Sequence, residues 1–582
     1  MAQPAELLPS SYPAYTTPGT EDRATPNRHL YAVPDIDVNA LTTSSDYLFS
    51  HIADPADTLI FDQLEHEAIS GNTASWAVEP AEANYDMEAE PKSLQLLHES
   101  FKSRSFAELH PGVRGEEQAA VRASVRHWME QTYPGMLDRD EQDGPRAGGV
   151  EDYNAISADR GHNMLSALVD YLKTNHANAV SDAELEASED FLAANFSIQE
   201  DVRNGVDLSM GKKDTHAFVV PVRLSTRNPE YSDEIRPLVP AFHYVHDELV
   251  SYFMRDMPTF VADEYENGGY LVVAPITADM KDDLLPVTPK AFLELGRARV
   301  NAAVATGRAL GARAFGYGAT LPGLMNWGKA TADKEAVTTT GHGGTTALMC
   351  MMIDEAAERF LDGRKPRIGA LGLGTIGLSA TVVLADRYAE SQVNVFDPET
   401  VRMDNLSKGA EDRYTMQASA EEVVRNSNII ISTATTTFNL TDPTHPNYLD
   451  IDSLKGKVFI DDSEPHSFNP HEVQELGGIV LDVIGRSYGD DHVVRRTTDF
   501  GYGHTLADGI RDAFGCELEV ATLNRLRSDL EAAGHTPEEV TAEIGKYALR
   551  GSVTTDHTNR WIELFKRYNI GPAPLQAFGQ VY

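Results

Sequence analysis

A chain of 582 residues exceeds what one ordinary hydrophobic core supports, so two to four domains are expected. Hydrophobic residues make up 41%, enough for substantial cores, yet no window approaches about eighteen uninterrupted apolar residues, so no membrane span is expected. A formal net charge of −40 repels nucleic acid and anionic membranes and argues against both as partners.

The N-terminus, MAQPAELLPSSYPAYTTPGTEDR, has neither a basic start nor an apolar stretch and does not read as a signal peptide. Residues 1–90 are rich in Pro, Ser, Thr, Asp and Glu and read as a poorly ordered acidic segment, with a short helical piece at Asp57–Ile69. Residues 91–215 read as a mainly helical extension. SLQLLHESFKS, EEQAAVRASVRHWMEQTY, NMLSALVDYLKTN and DAELEASEDFLAAN each repeat apolar residues at three- and four-residue spacing, and the turn-rich stretch Asp138–Gly149 separates two of them.

Residues 216–365 read as an α/β unit. HAFVVPV (216–222) and GYLVVAPI (269–276) have the texture of strands, with helical pieces around Ala241–Met254 and from Pro289 to Leu310. ARAFGYGAT (312–320) reads as a strand entering a glycine turn, and TTTGHGGTTALMCMMIDEAAERFLD (338–362) as a Thr/Gly loop continuing into a long helix. Between 366 and 500 strands and helices alternate: RIGALGLG, a helix, QVNVFD, a helix, SNIIISTAT, a linker, GKVFIDDS, a short helix, GGIVLDVIG. That alternation predicts an α/β fold with a Rossmann-type, doubly wound parallel sheet. Residues 501–582 read as mostly helical.

Gly372-Leu373-Gly374-Thr375-Ile376-Gly377 follows an apolar strand and opens a helix, and Asp397 closes the next strand. Each part has a mechanical reason: Gly372 permits the tight turn, Gly374 lets backbone approach a pyrophosphate, and Gly377 lets the helix pack closely on the strand. The helix start supplies N–H groups and partial positive charge to the phosphates. The same pattern would also serve as a bare glycine turn in a sheet that binds no nucleotide. The context predicts NAD or NADP, with Thr375, Ile376, Arg402 and Thr433 completing the candidate cofactor-binding set. A carboxylate at Asp397 would accept from the adenosine ribose and repel a 2′-phosphate, favouring NAD; Arg402 and Lys408, just beyond, could reverse that preference.

Two cysteines, Cys350 and Cys516, cannot build a disulfide framework or a zinc site, and point to a reducing cytoplasm. Cys350 lies on an apolar helix face, where packing explains it. Cys516, in AFGCELE, could take an acyl group from a thioester and present it to hydride. Local sequence speaks against this: Asp512 and Glu519, one turn away on either side, would oppose a thiolate. An activating histidine would have to come from elsewhere, with His342 and His504 as candidates.

From about His216 to the C-terminus, the order of motifs resembles the long-chain fatty acyl-[acyl-carrier-protein] reductases best known from cyanobacteria. The features are HAFVVPV, PTFVADEY (258–265), ALGARAFGYGAT, TTGHGGTT (339–346), the glycine fingerprint, RMDNL (402–406), IIISTAT, FIDDSEP, a strand end at Gly485, Cys516 with Glu519 in a Cys-x-x-Glu pattern, and the closing RYNIGPAPLQAFG. The resemblance implies NAD(P)H-dependent reduction of an acyl thioester, carried by acyl carrier protein or coenzyme A, to an aldehyde. Cys516 would be the nucleophile and Glu519 an orienting or relaying group. Thr340, Gly341 and Thr345 of the Thr/Gly loop would line the substrate cleft, backbone N–H groups of the 339–346 loop with Thr345 would stabilise an oxyanion, and 216–365 would be the substrate-binding domain. The general acid would be His342 or His504, and a homo-oligomer is allowed. Here His342 stands where that family usually has Asn, Leu518 where it has Ala, and the family generally uses NADPH where Asp397 favours NADH.

An anionic carrier needs a local basic patch on so acidic a chain. Lys212, Lys213, Arg223 and Arg227 form one candidate, and Arg486, Arg495 and Arg496 another. Three further readings stand beside the reductase: an ATP-using adenylating enzyme, from GLGTIG followed by FDPETVRMDNL; a dehydrogenase of another small substrate; and a non-enzymatic nucleotide-sensing scaffold.

Overall fold

The computed structural model describes residues 90–133 and 150–582, less short stretches at 213–214, 223–234, 256, 267, 278–279, 281–288, 334–335, 389–391, 408–412, 435, 464–465, 489–492, 497–507, 509, 549–552 and 578–579. The expected N-terminal segment and its helix at 57–69, the turn at 138–149, Lys213, Arg223, Arg227, Lys408 and His504 lie outside the described residues.

Four helices come first: α1 (Lys92–Leu109), α2 (Glu116–Thr132), α3 (Val150–Asn175) and α4 (Asp182–Arg203). A capping box starts α4, where the Ser181 hydroxyl accepts from Glu184 N and the Glu184 carboxylate accepts from Ser181 N. The same carboxylate takes Arg114 at 2.6 Å and the Tyr244 hydroxyl at 2.7 Å, tying the helix start to the chain around it.

The first sheet is built from β1 (Thr215–Val222), β2 (Phe260–Tyr265), β3 (Gly269–Thr277), β4 (Ala312–Tyr317) and β5 (Val337–Thr339), in the order β2-β3-β1-β4-β5. Only β2 runs antiparallel to its neighbour. Every residue of β1 and β3 is buried, which is why both read as continuous apolar runs without alternation. Leu94, Leu97 and Phe101 of α1 and Ile198 of α4 pack with Val219, Val272 and Phe315 on one face.

Helices α5 (Asp247–Arg255) and α6 (Pro289–Ala309) lie between the strands of the first sheet, and helix α7 (His342–Phe360) leads into the second: β6 (Ile368–Leu371), α8 (Thr375–Arg387), β7 (Val393–Phe396), β8 (Tyr414–Met416), β9 (Ile429–Ser432), β10 (Val458–Asp461) and β11 (Ile479–Asp482). Its order is β11-β10-β9-β6-β7-β8, with every pair parallel. Counted from β6 this is 3-2-1-4-5-6, the doubly wound dinucleotide-binding order, whose switch point lies between β6 and β9. The expected α/β fold class is therefore present.

A third, antiparallel sheet joins β12 (Ile484–Ser487) to β13 (Asp512–Phe514) and β14 (Ile570–Pro572). The run GGIVLDVIG, read as one strand, is thus two strands in two sheets, with Val483 between them. The last part of the chain, read as mostly helical, holds helices α9 (Gly515–Ala532), α10 (Pro537–Ile544) and α11 (Thr555–Arg567), with short strands on either side of them. Helix α9 covers the other face of the first sheet: a Cβ on Gly316 of β4 would stand 2.9 Å from Val520. One apolar core runs from α2 and α3 through α7 and the second sheet to α9 and α11. No described helix is long and apolar enough to cross a membrane.

Candidate active site

The glycine turn after β6 has the geometry its sequence demands. Gly372 sits at φ +85°, and a Cβ there would meet the Ala434 backbone at 2.9 Å. A Cβ on Gly377 would fall 2.1 Å from Gly372 O and 2.2 Å from Thr433 Oγ1, so α8 presses on the strand end as closely as only glycine allows. Thr433 donates to Gly372 O at 3.0 Å, joining the loops on either side of the switch point.

Gly374 differs from its two neighbours. It is the N-cap of α8, has no side-chain cap, and among the described residues no atom beyond its chain neighbours stands within 4 Å of where its Cβ would be. Uncapped N–H groups at a helix start, next to open space that a side chain would fill, fit a pyrophosphate. Thr375 and Ile376 lie half-buried in the first turn beside it. Asp397, almost fully buried, braces the loop by accepting from Leu373 N at 2.6 Å and Glu399 N at 2.8 Å. Arg402 is held between Asp397 at 3.3 Å and Glu399 at 3.1 Å.

Cys516 is the second residue of α9 and is half-buried. The starts of α7 and α9 meet through glycines. A Cβ on Gly341, at φ +77°, would lie 2.2 Å from the Cys516 Cβ, and one on Gly515 would lie 2.6 Å from the Thr345 Cα. The fold thus brings the Thr/Gly loop onto the candidate nucleophile. Gly341, the N-cap of α7, has no side chain to satisfy the helix's first N–H groups. Glu519, 178 residues away in sequence, caps that helix instead, accepting from Gly341 N at 3.2 Å and from Gly344 N and Thr339 Oγ1. Burial pushes the Glu519 carboxyl up to about 8 against the pull of those backbone donors, so it is largely protonated at neutral pH.

Several local expectations change here. Glu519 does not stand as a bare charge against the thiol. Nor does Asp512, which accepts from Arg486 Nε at 2.6 Å and Gln576 Nε2 at 2.8 Å. The Gly341 and Gly344 N–H groups, expected to face an oxyanion, are occupied by Glu519, and Thr345 N is spent on Gly341 O at 3.0 Å. Thr340 is buried, its hydroxyl without a partner among the described residues. His342 packs against Trp327, ring centroids 5.0 Å apart, and burial pushes it down to about 4. It is neutral at pH 7 and lacks the imidazolium that a general acid would use.

The second proposed basic patch dissolves into ion pairs. Arg496, 1% exposed, donates to both oxygens of the equally buried Glu517 at 2.9 and 2.8 Å and to Asp512 O at 2.9 Å. Arg486 pairs with Asp512, and Arg495 with Glu266 at 3.1 Å. Of the first patch, Lys212 is held by Glu264 at 3.1 Å. Cys350 is buried, its thiol pushed up to about 12, in keeping with a packing role.

Sequence reasoning missed the Arg496–Glu517 pair and a histidine, His466, bonded to Asp482 at 3.0 Å. Their partners lie on other elements, so no local spacing announces them. Among the described residues no group of three or more His, Cys, Asp and Glu could hold a metal ion.

The chain matches no protein-family model and no curated protein. Among solved structures, it is similar to a hetero-hexameric glutamate dehydrogenase from Thermus thermophilus at 14% identity, over 61% of this chain and 80% of that one, with a TM-score of 0.26. It is similar to the malic enzyme from Pyrococcus horikoshii at 13% identity, over 63% and 86%, with a TM-score of 0.29. For an imine reductase from Pseudomonas sp. the values are 20% identity, 20% and 41% coverage and a TM-score of 0.16, so the chain spans less than half of that enzyme's length. Likenesses this low carry no argument about function, and the fold assignment rests on the chain's own strand order.

Proposed function

We propose that the protein is a nicotinamide-dependent oxidoreductase that reduces an acyl thioester, on acyl carrier protein or coenzyme A, to an aldehyde through Cys516. The observation that carries this reading is the meeting of Cys516 with Gly341 of the Thr/Gly loop, in a chain whose second sheet has the dinucleotide-binding order and an open Gly374. When bound, the nicotinamide supplies the hydride that turns the acyl group into an aldehyde.

The chain's own residues divide the remaining work. Gly372, Gly374 and Gly377 would hold the phosphates, Thr433 joins the two loops across the switch point, and Asp397 braces the turn and would accept from the ribose hydroxyls of a bound nicotinamide cofactor. Cys516 attacks the thioester carbon, and its place at a helix start suits the negative charge that sulfur carries in that step. Glu519 locks the start of α7 onto α9 and so fixes the loop against the sulfur. It orients and does not activate.

The test is NADH and NADPH oxidation with a panel of acyl-coenzyme A and acyl-carrier-protein thioesters, beside Cys516→Ala. Thioester-dependent oxidation that the substitution abolishes, with nicotinamide affinity unchanged, is the expected result. Oxidation that survives the substitution would remove the covalent route.

A further inference from the structure

One side of the first turn of α9 is seated on α7. Gly515 lies against Thr345, Cys516 against Gly341, and Glu519 caps the α7 helix. Glu517 belongs to the same turn, and at about 3.6 residues per turn it falls on the opposite side of the helix. Its carboxylate is buried there, out of reach of water, and needs a partner within the protein. Arg496, equally buried, provides it. Nη2 of Arg496 donates to both Glu517 oxygens, at 2.9 and 2.8 Å, while Nη1 of the same guanidinium donates to Asp512 O at 2.9 Å.

Asp512 opens β13 and Glu517 is the third residue of α9, so the two acceptors stand at either end of the strand-to-helix turn, with Cys516 between them. The backbone around Arg496 is fastened in turn. Arg496 N donates to Ile510 O at 2.9 Å, Arg496 bridges Tyr265 of the edge strand β2, and Glu266 N donates to Arg495 O at 2.7 Å. One side chain therefore refers the turn that carries Cys516 to the first sheet. Stability does not account for such a pair. Taking two charges out of water costs about what their attraction returns, and well-packed apolar residues often hold as well or better. What apolar residues lack is direction, which a planar guanidinium with its donors in a fixed fork supplies.

We propose that Arg496 is a positioning residue for Cys516; the proposal rests on the thioester reading above. By gripping Asp512 O and the Glu517 carboxylate together, Arg496 sets the rotation of the first turn of α9. Neighbouring residues of a helix are turned by about 100° from one another, so holding Glu517 in one direction holds Cys516 toward Gly341. Arg496 acts through Glu517 and forms no bond to the substrate. Its contribution is the alignment of the sulfur with the thioester carbon, where a small displacement is costly.

The test is single-turnover release of coenzyme A thiol over a range of acyl-coenzyme A concentrations, without nicotinamide, using the full chain. Thermal unfolding is measured beside it. The double variant Arg496→Met/Glu517→Leu removes both charges together and is expected to melt at or above the wild-type temperature. Its release at saturation should nonetheless be about 10²-fold slower, the loss that a displacement of about 1 Å brings, with the half-saturating concentration and nicotinamide affinity unchanged. Arg496→Lys keeps the charge without the fork and should show a loss of the same kind. Should the double variant fail to fold, Arg496→Lys decides. Release at the wild-type rate in either folded variant, or a loss confined to the half-saturating concentration, would overturn the proposal while leaving Cys516 in place. If the wild-type chain itself transfers no acyl group to Cys516, the thioester reading fails and this proposal falls with it.

Discussion

Glu519 binds a proton in the native chain that an unfolded chain releases near the ordinary carboxyl value of 4.5, because burial raises it to about 8. Between those values the folded state holds more protons than the unfolded one, so this residue's contribution to stability falls as pH rises through that window. Glu519→Gln should flatten the fall in melting temperature between pH 5 and pH 8, and a variant with the same slope as wild type would contradict the assignment. Glu519→Ala leaves buried N–H groups of α7 without an acceptor and should cost about 1–3 kcal/mol in denaturant unfolding. Cys516 and Glu519 were legible in the sequence only through the resemblance of their spacing to a known pattern. Their relation to Gly341 was not, because a cap supplied by another helix leaves no local trace.

At the scale of elements, the glycine turn separates binding from folding. Gly374→Ala places a methyl in open space at φ −63°, a conformation any residue adopts. It should leave thermal unfolding within about 0.5 kcal/mol of wild type, as surface changes usually do, yet weaken nicotinamide binding by crowding the phosphates. Gly377→Ala drives a methyl into Gly372 O and Thr433 Oγ1 and should lower both stability and binding. Calorimetric titration with NADH and NADPH, beside thermal melts, checks both; unchanged affinity in Gly374→Ala would argue against a pyrophosphate at that turn. The strands β1, β3, β6, β9 and β10 were legible because burial on both faces leaves unbroken apolar runs. Strands β5 and β8 were not, since three residues carry no usable period. The passage from β11 to β12 was hidden for another reason: apolar texture does not say which sheet a strand joins.

At the scale of the molecule, 89 acidic residues face 49 basic ones, and many of the arginines read as a basic surface are committed to ion pairs. Exposed pairs contribute about 0–1 kcal/mol each, while the uncompensated charge repels itself throughout the surface. Screening should therefore stabilise this chain. Its melting temperature should rise as salt is raised from near zero to a few tenths molar, where the Debye length falls below about 10 Å; a falling melting temperature would show that ion pairs dominate. The alternation of strands and helices announced a doubly wound sheet, but the strand order that defines its switch point is a tertiary fact. The pairing of β12 with β13, which joins the end of the second sheet to the start of α9, depends on contacts between segments with no common sequence pattern.

The most direct measurement is the intact mass of the chain after incubation with an acyl-coenzyme A, first alone and then with NADH or NADPH. The account predicts a single acyl adduct on Cys516, absent from Cys516→Ala, that disappears on adding the reduced nicotinamide as aldehyde is formed. No adduct, or one that the nicotinamide leaves untouched, would contradict it.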